Sequence, residues 1–165
     1  MTEPARTFDT RDEYAGQRIH CARWDRRVNL RGRRVAVLGT GAAVARVLPA
    51  VAAEARKVTV FQQDPVWVLP RPPLSEALGV LPGRIARWAA RANLRLQVRD
   101  SWVRRQLTPD GPARIRLHNH YYEALQRPNC KLVTWPIARL APLGIRTVDG
   151  IEHRVDCIIF AQEDQ

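Results

Sequence analysis

The chain has 165 residues, 45% of them hydrophobic, and a formal net charge of +11. That length fits one domain able to bury a core, and no apolar stretch approaches the ~20 residues of a bilayer-spanning helix, so a membrane span is not expected. The charge is nearly all arginine, since Lys57 and Lys131 are the sole lysines; the arginines are scattered along the chain with no nucleic-acid motif beside them, which argues for basic surface facing anionic cofactors or a partner and against specific nucleic-acid binding.

Cys21, Cys130 and Cys157 are widely spaced. They make neither a C-x-x-C pair nor a zinc ligand set, and they read as free thiols of a cytoplasmic protein. The first residues are polar and mixed in charge, without a signal-peptide pattern.

Residues 1–33 are strongly charged with little periodicity, and irregular structure is expected there. Residues 34–38 form an apolar run suited to a parallel strand buried on both faces. The run ends in Gly39-Thr40-Gly41 and passes at once into an alanine-rich helical pattern over 42–55. A kink or break is expected at Pro49. Residues 57–62 read as a second strand. Strand, glycine turn, helix, strand is the layout of a dinucleotide-binding unit. In it the backbone approaches a pyrophosphate, and the helix start offers N–H groups and a positive dipole end. Gly39, Thr40, Gly41, Ala42 and Ala43 are the candidate cradle. The third small position of the pattern is Val44 rather than Gly or Ala, and a plain strand-to-helix turn stands as the other reading.

Pro65, Pro70, Pro72 and Pro73 argue against regular structure as far as Leu74. A helical pattern covers 85–96 and a shorter one 101–107. Residues 108–112 are a loop. Residues 121–126 read as one or two helical turns, and 131–135 as a strand. Segments 138–140, 145–148 and 151–154 alternate around Pro142-Leu143-Gly144 and the hairpin signal Asp149-Gly150. Residues 157–161 form a last buried parallel strand. The sum is an α/β fold: a mostly parallel sheet with flanking helices and a β-meander. Trp88, Trp102 and Trp135 are expected in the core, or on a face toward another domain. His118 and His120 lack companion ligands and read as loop histidines, so no metal is expected.

Several blocks together carry a family likeness. Tyr14-Ala15-Gly16-Gln17-Arg18-Ile19-His20, followed by Trp24 and Asp25, matches F-x-G-x-x-x-H-x-x-x-W-[P/D], with Tyr14 in place of Phe. Phe61 to Arg71 reads F-Q-Q-D-P-V-W-V-L-P-R. Asn119 to Val133 contains Tyr121-Tyr122 and Arg127-Pro128-Asn129. The close runs P-I-A-R-L-A-P-L-G-I-R-T-V-D-G and then D-C-I-I-F-A. In these blocks the chain resembles the flavin-containing and Baeyer–Villiger monooxygenases, from Tyr14 to Ala161.

The resemblance implies a Rossmann-like three-layer domain over 34–165, shortened between the proline-rich block and Tyr121-Tyr122. Residues 1–33 become a linker-like arm carrying the fingerprint Gly16, His20, Trp24 and Asp25. It implies NADP or NAD as coenzyme, and FAD through a missing or partner domain, since the family's flavin domain and its A-T-G-F return are not found. The implied activity is O2-dependent oxidation of a small organic substrate with a flavin-domain partner. Self-association is expected of the uncovered domain. A truncated, non-catalytic interaction module is the alternative.

Coenzyme choice follows the second strand, at Gln62, Gln63 and Asp64. The family's Arg-Thr pair suits a 2′-phosphate; Asp64 repels that group but accepts from a free ribose hydroxyl, or else it caps a turn before Pro65. Arg114 aligns with the arginine that, in Baeyer–Villiger members, stabilises negative charge at the flavin. The other reading makes it one arginine among many in a shortened loop.

Overall fold

The computed structural model describes residues 14–21, 28–62, 65–70, 83–110 and 115–161. Strand β1 is Gln17–His20, β2 Arg34–Gly39, β3 Lys57–Phe61, β6 Cys130–Val133 and β10 Cys157–Ala161. These five form one sheet in the order β1-β10-β2-β3-β6, and every neighbouring pair is parallel. Strand β10 therefore enters between the first two strands of the described chain. Its register pairs Cys157 with Val35 and Ala161 with Gly39. The Asp156 carboxylate fixes that register by accepting from the Arg34 backbone N–H at 2.8 Å and from its guanidinium at 2.7 Å.

Alternate side chains of each strand serve two different cores, as the pleat requires. Val35, Val37, Val58, Val60 and Ile159 face a core built with helix α1, Gly41–Glu54, and helix α4, Tyr121–Leu125. Ala36, Leu38, Phe61 and Ile158 face the other way. They meet Leu140, Ile145 and Val155 from the antiparallel meander of β7, Ile137–Ala141, β8, Gly144–Thr147, and β9, Glu152–Arg154. The layers are thus helices, parallel sheet and meander, so the strands carry near-continuous apolar sequence.

Helix α1 continues through Pro49, so of the kink or break expected there the break does not occur. Val44, Leu48 and Val51 recur at helical spacing and are fully buried. That packing outweighs the ~3 kcal/mol that an interior proline costs an isolated helix. At its far end the Asn129 side chain donates to the carbonyls of Ala52 and Ala55, both at 3.0 Å. Two orphan carbonyls are thereby satisfied by a residue 74 positions beyond Ala55.

Two short strands depart from the sequence expectation. Strand β1 lies within the stretch expected to be irregular. Its pattern Q-R-I-H buries a single apolar residue, Ile19, so it carries almost no periodic signal. Strand β4, Trp67–Leu69, lies among the prolines. Pro65 and Pro70 flank it rather than interrupt it, and all three of its residues are buried. It pairs in parallel with β5, Ile115–Leu117. Helices α2, Gly83–Gln97, and α3, Ser101–Gln106, complete the described elements. Trp88, Trp102 and Trp135 are exposed, not in the core. They stand on helix surfaces and a turn whose inner faces are filled by other residues.

Candidate functional site

Strand β2 ends at Gly39, on the carboxyl edge of the parallel sheet, and Thr40 begins the turn into α1. Gly39 has φ 153°, and a Cβ there would overlap the Ala161 carbonyl of β10. Glycine is therefore demanded by the neighbouring strand itself, before any ligand is considered. Thr40 is extended (φ −71°, ψ 148°), and its carbonyl accepts from Val44 N at 2.9 Å. Its hydroxyl makes no cap hydrogen bond, and the first turn contains no acidic residue. The N–H groups of Gly41, Ala42 and Ala43 consequently have no intrahelical acceptor, and they sit at the positive end of a fourteen-residue helix. Such a terminus is built to take an anion. Val44, at the position where the dinucleotide pattern has Gly or Ala, is fully buried in the core beneath the turn.

Beside this turn, β3 leads into Gln62. Gln62 is buried, and its N–H donates to the Val133 carbonyl at 3.1 Å. Its side-chain oxygen accepts from the Tyr121 hydroxyl at 2.5 Å. Tyr121 is fully enclosed, and burial raises its hydroxyl pKa well above the ordinary tyrosine value. Tyr122 packs against it with ring centroids 5.3 Å apart and accepts from Val68 N at 3.3 Å. Burial pushes Tyr122 up to about 12. Neither tyrosine ionises near neutrality; both are neutral hydrogen-bonding struts. They tie α4 to the exit of β3 and to β4. Residue spacing gives no hint of this role, although the Tyr-Tyr block stands out in the family likeness. The Asn129 clamp on α1 was equally hidden.

The fingerprint residues within the described chain are packing devices. The Tyr14 ring folds back over Gly16, where a Cβ would strike it. Its hydroxyl donates to the Val155 carbonyl at 3.1 Å, and burial pushes its pKa up to about 12. His20 stacks on Phe160 with centroids 5.3 Å apart and planes 21° from parallel. In register, His20 aligns with Phe160 and Leu38, one residue short of the Ala161–Gly39 pair. His20 and the glycine turn thus share one sheet edge, two strand spacings or about 10 Å apart. Gln63, Asp64, Arg114, Trp24 and Asp25 lie outside the described residues. Among the described residues no three His, Cys, Asp or Glu side chains converge on a metal position. No described helix is long and apolar enough to cross a membrane.

No protein-family model matches the chain. An uncharacterized monooxygenase of Mycobacterium tuberculosis is 36% identical over 91% of this chain and 37% of its own length. A Baeyer-Villiger monooxygenase of Streptomyces coelicolor is 30% identical over 90% of this chain and 36% of its own length. The chain is related to one part of the Baeyer–Villiger-type monooxygenases. It spans little more than a third of the length of these curated relatives. A solved steroid monooxygenase bound to NADP superposes with a TM-score of 0.79 at 25% identity, covering 98% of this chain and 44% of that one. A cyclohexanone monooxygenase from Rhodococcus, 24% identical with a TM-score of 0.75, shares the fold over 98% of this chain and 44% of that one.

Proposed function

We propose that the chain is the nicotinamide-coenzyme part of an FAD-dependent monooxygenase system. Residues 34–165 form the coenzyme domain, and residues 1–33 the arm that couples it to a flavin-bearing segment or partner. The observation that carries this reading is the uncapped start of α1 at the carboxyl edge of a parallel sheet, beside Gly39. Three N–H groups without intrahelical acceptors and a first turn free of carboxylates fit a pyrophosphate. Further support comes from relatives named Baeyer-Villiger and FAD-binding monooxygenases and from a steroid monooxygenase that binds NADP.

In this reading Gly39, Thr40, Gly41, Ala42 and Ala43 hold the pyrophosphate. Gln62 sets the exit of β3, and Gln63 and Asp64 meet the adenosine ribose. Asp64 accepts from a free 2′-hydroxyl and repels a 2′-phosphate, which puts NADH at least level with NADPH. Arg114 stabilises negative charge where the coenzyme domain meets the flavin. His20 and Trp24 couple the domains. When bound, the nicotinamide supplies the hydride for flavin- and O2-dependent oxidation of an organic substrate.

Thr40→Asp separates fold from binding. An aspartate at the helix cap accepts from the first-turn N–H groups and stabilises α1 by about 1 kcal/mol. The same carboxylate occupies the place of the phosphate. Fluorescence titration of the wild type with NADH and NADPH, with and without FAD, is expected to show binding. The variant should bind at least about tenfold more weakly while unfolding at the same or a higher temperature. A wild-type chain that binds neither nucleotide removes the coenzyme reading in favour of a non-catalytic interaction module.

A further inference from the structure

Helix α2 carries two apolar stripes, and the fold uses one of them. Ala90 and Leu94 are buried toward β4, and Asn93 secures that side by donating to the Val68 carbonyl at 2.9 Å. The second stripe follows the same helical spacing on the opposite side: Ile85, Trp88, Ala92 and Leu96. Ile85 is 50% exposed, Trp88 72% and Leu96 84%. Trp88, Ala92 and Leu96 line an open groove of about 430 Å³, walled by Arg91 and Arg95.

Charge accompanies this face. Arg84, Arg87, Arg91 and Arg95 form a row along the helix adjoining the outer apolar stripe. Between residues 83 and 107 stand seven arginines and one carboxylate, which is more than half of the chain's net charge of +11. That carboxylate, Asp100, is engaged at the start of α3, accepting from Trp102 N at 2.7 Å and Val103 N at 3.2 Å. Four of the seven, Arg84, Arg87, Arg91 and Arg95, stand on α2 itself, which carries no carboxylate.

We propose that the outward face of α2 docks peripherally on an anionic phospholipid surface. Arg91 and Arg95 meet headgroup phosphates, and Trp88, Ala92 and Leu96 enter the boundary of the acyl chains. A helix lying in the plane of an interface needs this combination: an aromatic and aliphatic stripe, a flanking cationic row and no acid. At about 22 Å it lies on a leaflet and does not cross one. Charge complementarity selects the anionic surface. Nucleic acid would reward the arginines and leave Ile85 and Leu96 in water.

The test is co-sedimentation of the full chain with phosphatidylcholine vesicles, with and without phosphatidylglycerol, at physiological ionic strength. Two double variants are compared: Trp88→Ser with Leu96→Ser, and Arg91→Gln with Arg95→Gln. All four positions are solvent-facing or groove-lining, and Arg91 also lies over the Trp67 ring, 5.8 Å from its centroid; losing that contact should lower stability slightly and leave the circular dichroism unchanged. The wild type is expected to pellet with phosphatidylglycerol vesicles and stay free of pure phosphatidylcholine. Each double variant should partition about tenfold less. Tryptophan emission should shift to the blue on binding, and Trp88→Phe should remove most of that shift. Failure to pellet overturns the proposal. So does pelleting that ignores the apolar pair, which would mark charge alone. Retention by duplex DNA that matches vesicle binding and falls with the same variants would assign the face to nucleic acid. None of these outcomes depends on whether the chain binds NADH or NADPH.

Discussion

Gly39 answers two demands that can be separated by experiment. Its φ of 153° is uncommon for a residue with a side chain, and the Ala161 carbonyl occupies the space of a Cβ. Gly39→Ala should therefore destabilise the fold by about 3 kcal/mol, combining backbone strain with overpacking against β10. Urea unfolding would read this as a lower midpoint with an unchanged slope. Because the cost arises between two strands, it should appear in the absence of any nucleotide. A loss seen only when NADH is present would mean that the ligand, not Ala161, sets the requirement. The cysteines give a second residue-scale expectation. Cys157 is fully buried with its thiol pushed up to about 11, and burial pushes Cys130 up to about 12. A raised pKa removes the thiolate at neutral pH, and the thiolate is the nucleophile. Titration with a chromogenic disulfide near pH 8 should modify half-exposed Cys21 first. Cys130, equally half-exposed but with its thiol held protonated, should follow more slowly, and Cys157 only on unfolding. Prompt reaction of Cys157 in the folded chain would contradict its complete burial.

At the scale of elements, Asn129, the residue before β6, ties that strand to two other elements. Its side chain closes the end of α1, and its carbonyl accepts from Val58 N at 2.7 Å, at the start of β3. Asn129→Ala should cost about 1–2 kcal/mol by leaving the carbonyls of Ala52 and Ala55 without their donor. Asn129→Asp should cost more, because it turns a carboxylate toward two carbonyls at the negative end of the helix. Equal midpoints for the two variants in urea would deny the side chain that electrostatic role. The same residues mark how far sequence carries. The strands β2, β3 and β10 and the glycine turn were legible, because a parallel strand buried on both faces writes a continuous apolar run. Strands β1 and β4 were not. Each is three or four residues long, and its partner is remote: Gln17 pairs with Cys157, and Trp67 with Ile115. The persistence of α1 through Pro49 was likewise set by packing on the sheet and not by local propensity. Within the site, the cradle could be read from glycine spacing. The Tyr121–Gln62 strut could not, since a hydrogen bond between residues 59 apart leaves no local pattern.

For the molecule as a whole, two opposed terms decide whether copies stay apart. A net charge of +11 on 165 residues repels like chains. Ile85, Trp88 and Leu96 on α2 leave an apolar stripe in water, which favours association. Salt acts on these terms unequally. The screening length falls from about 30 Å at 0.01 M to about 3 Å at 1 M, so repulsion fades while apolar attraction remains. Light scattering should therefore show a monomer at low ionic strength and growing self-association as sodium chloride is raised. Trp88→Ser with Leu96→Ser should shift that onset to higher salt or abolish it, since it removes the attraction and leaves the charge unchanged. Association that dissolves on adding salt would have the opposite origin, in pairing between basic and acidic surface. It would not rest on the apolar stripe of α2, whose residues 83–97, with four arginines and no carboxylate, supply only the basic side of such a pair. A monomer at every ionic strength would show that the exposed stripe is too narrow to hold two copies together, and would leave it open to a softer partner.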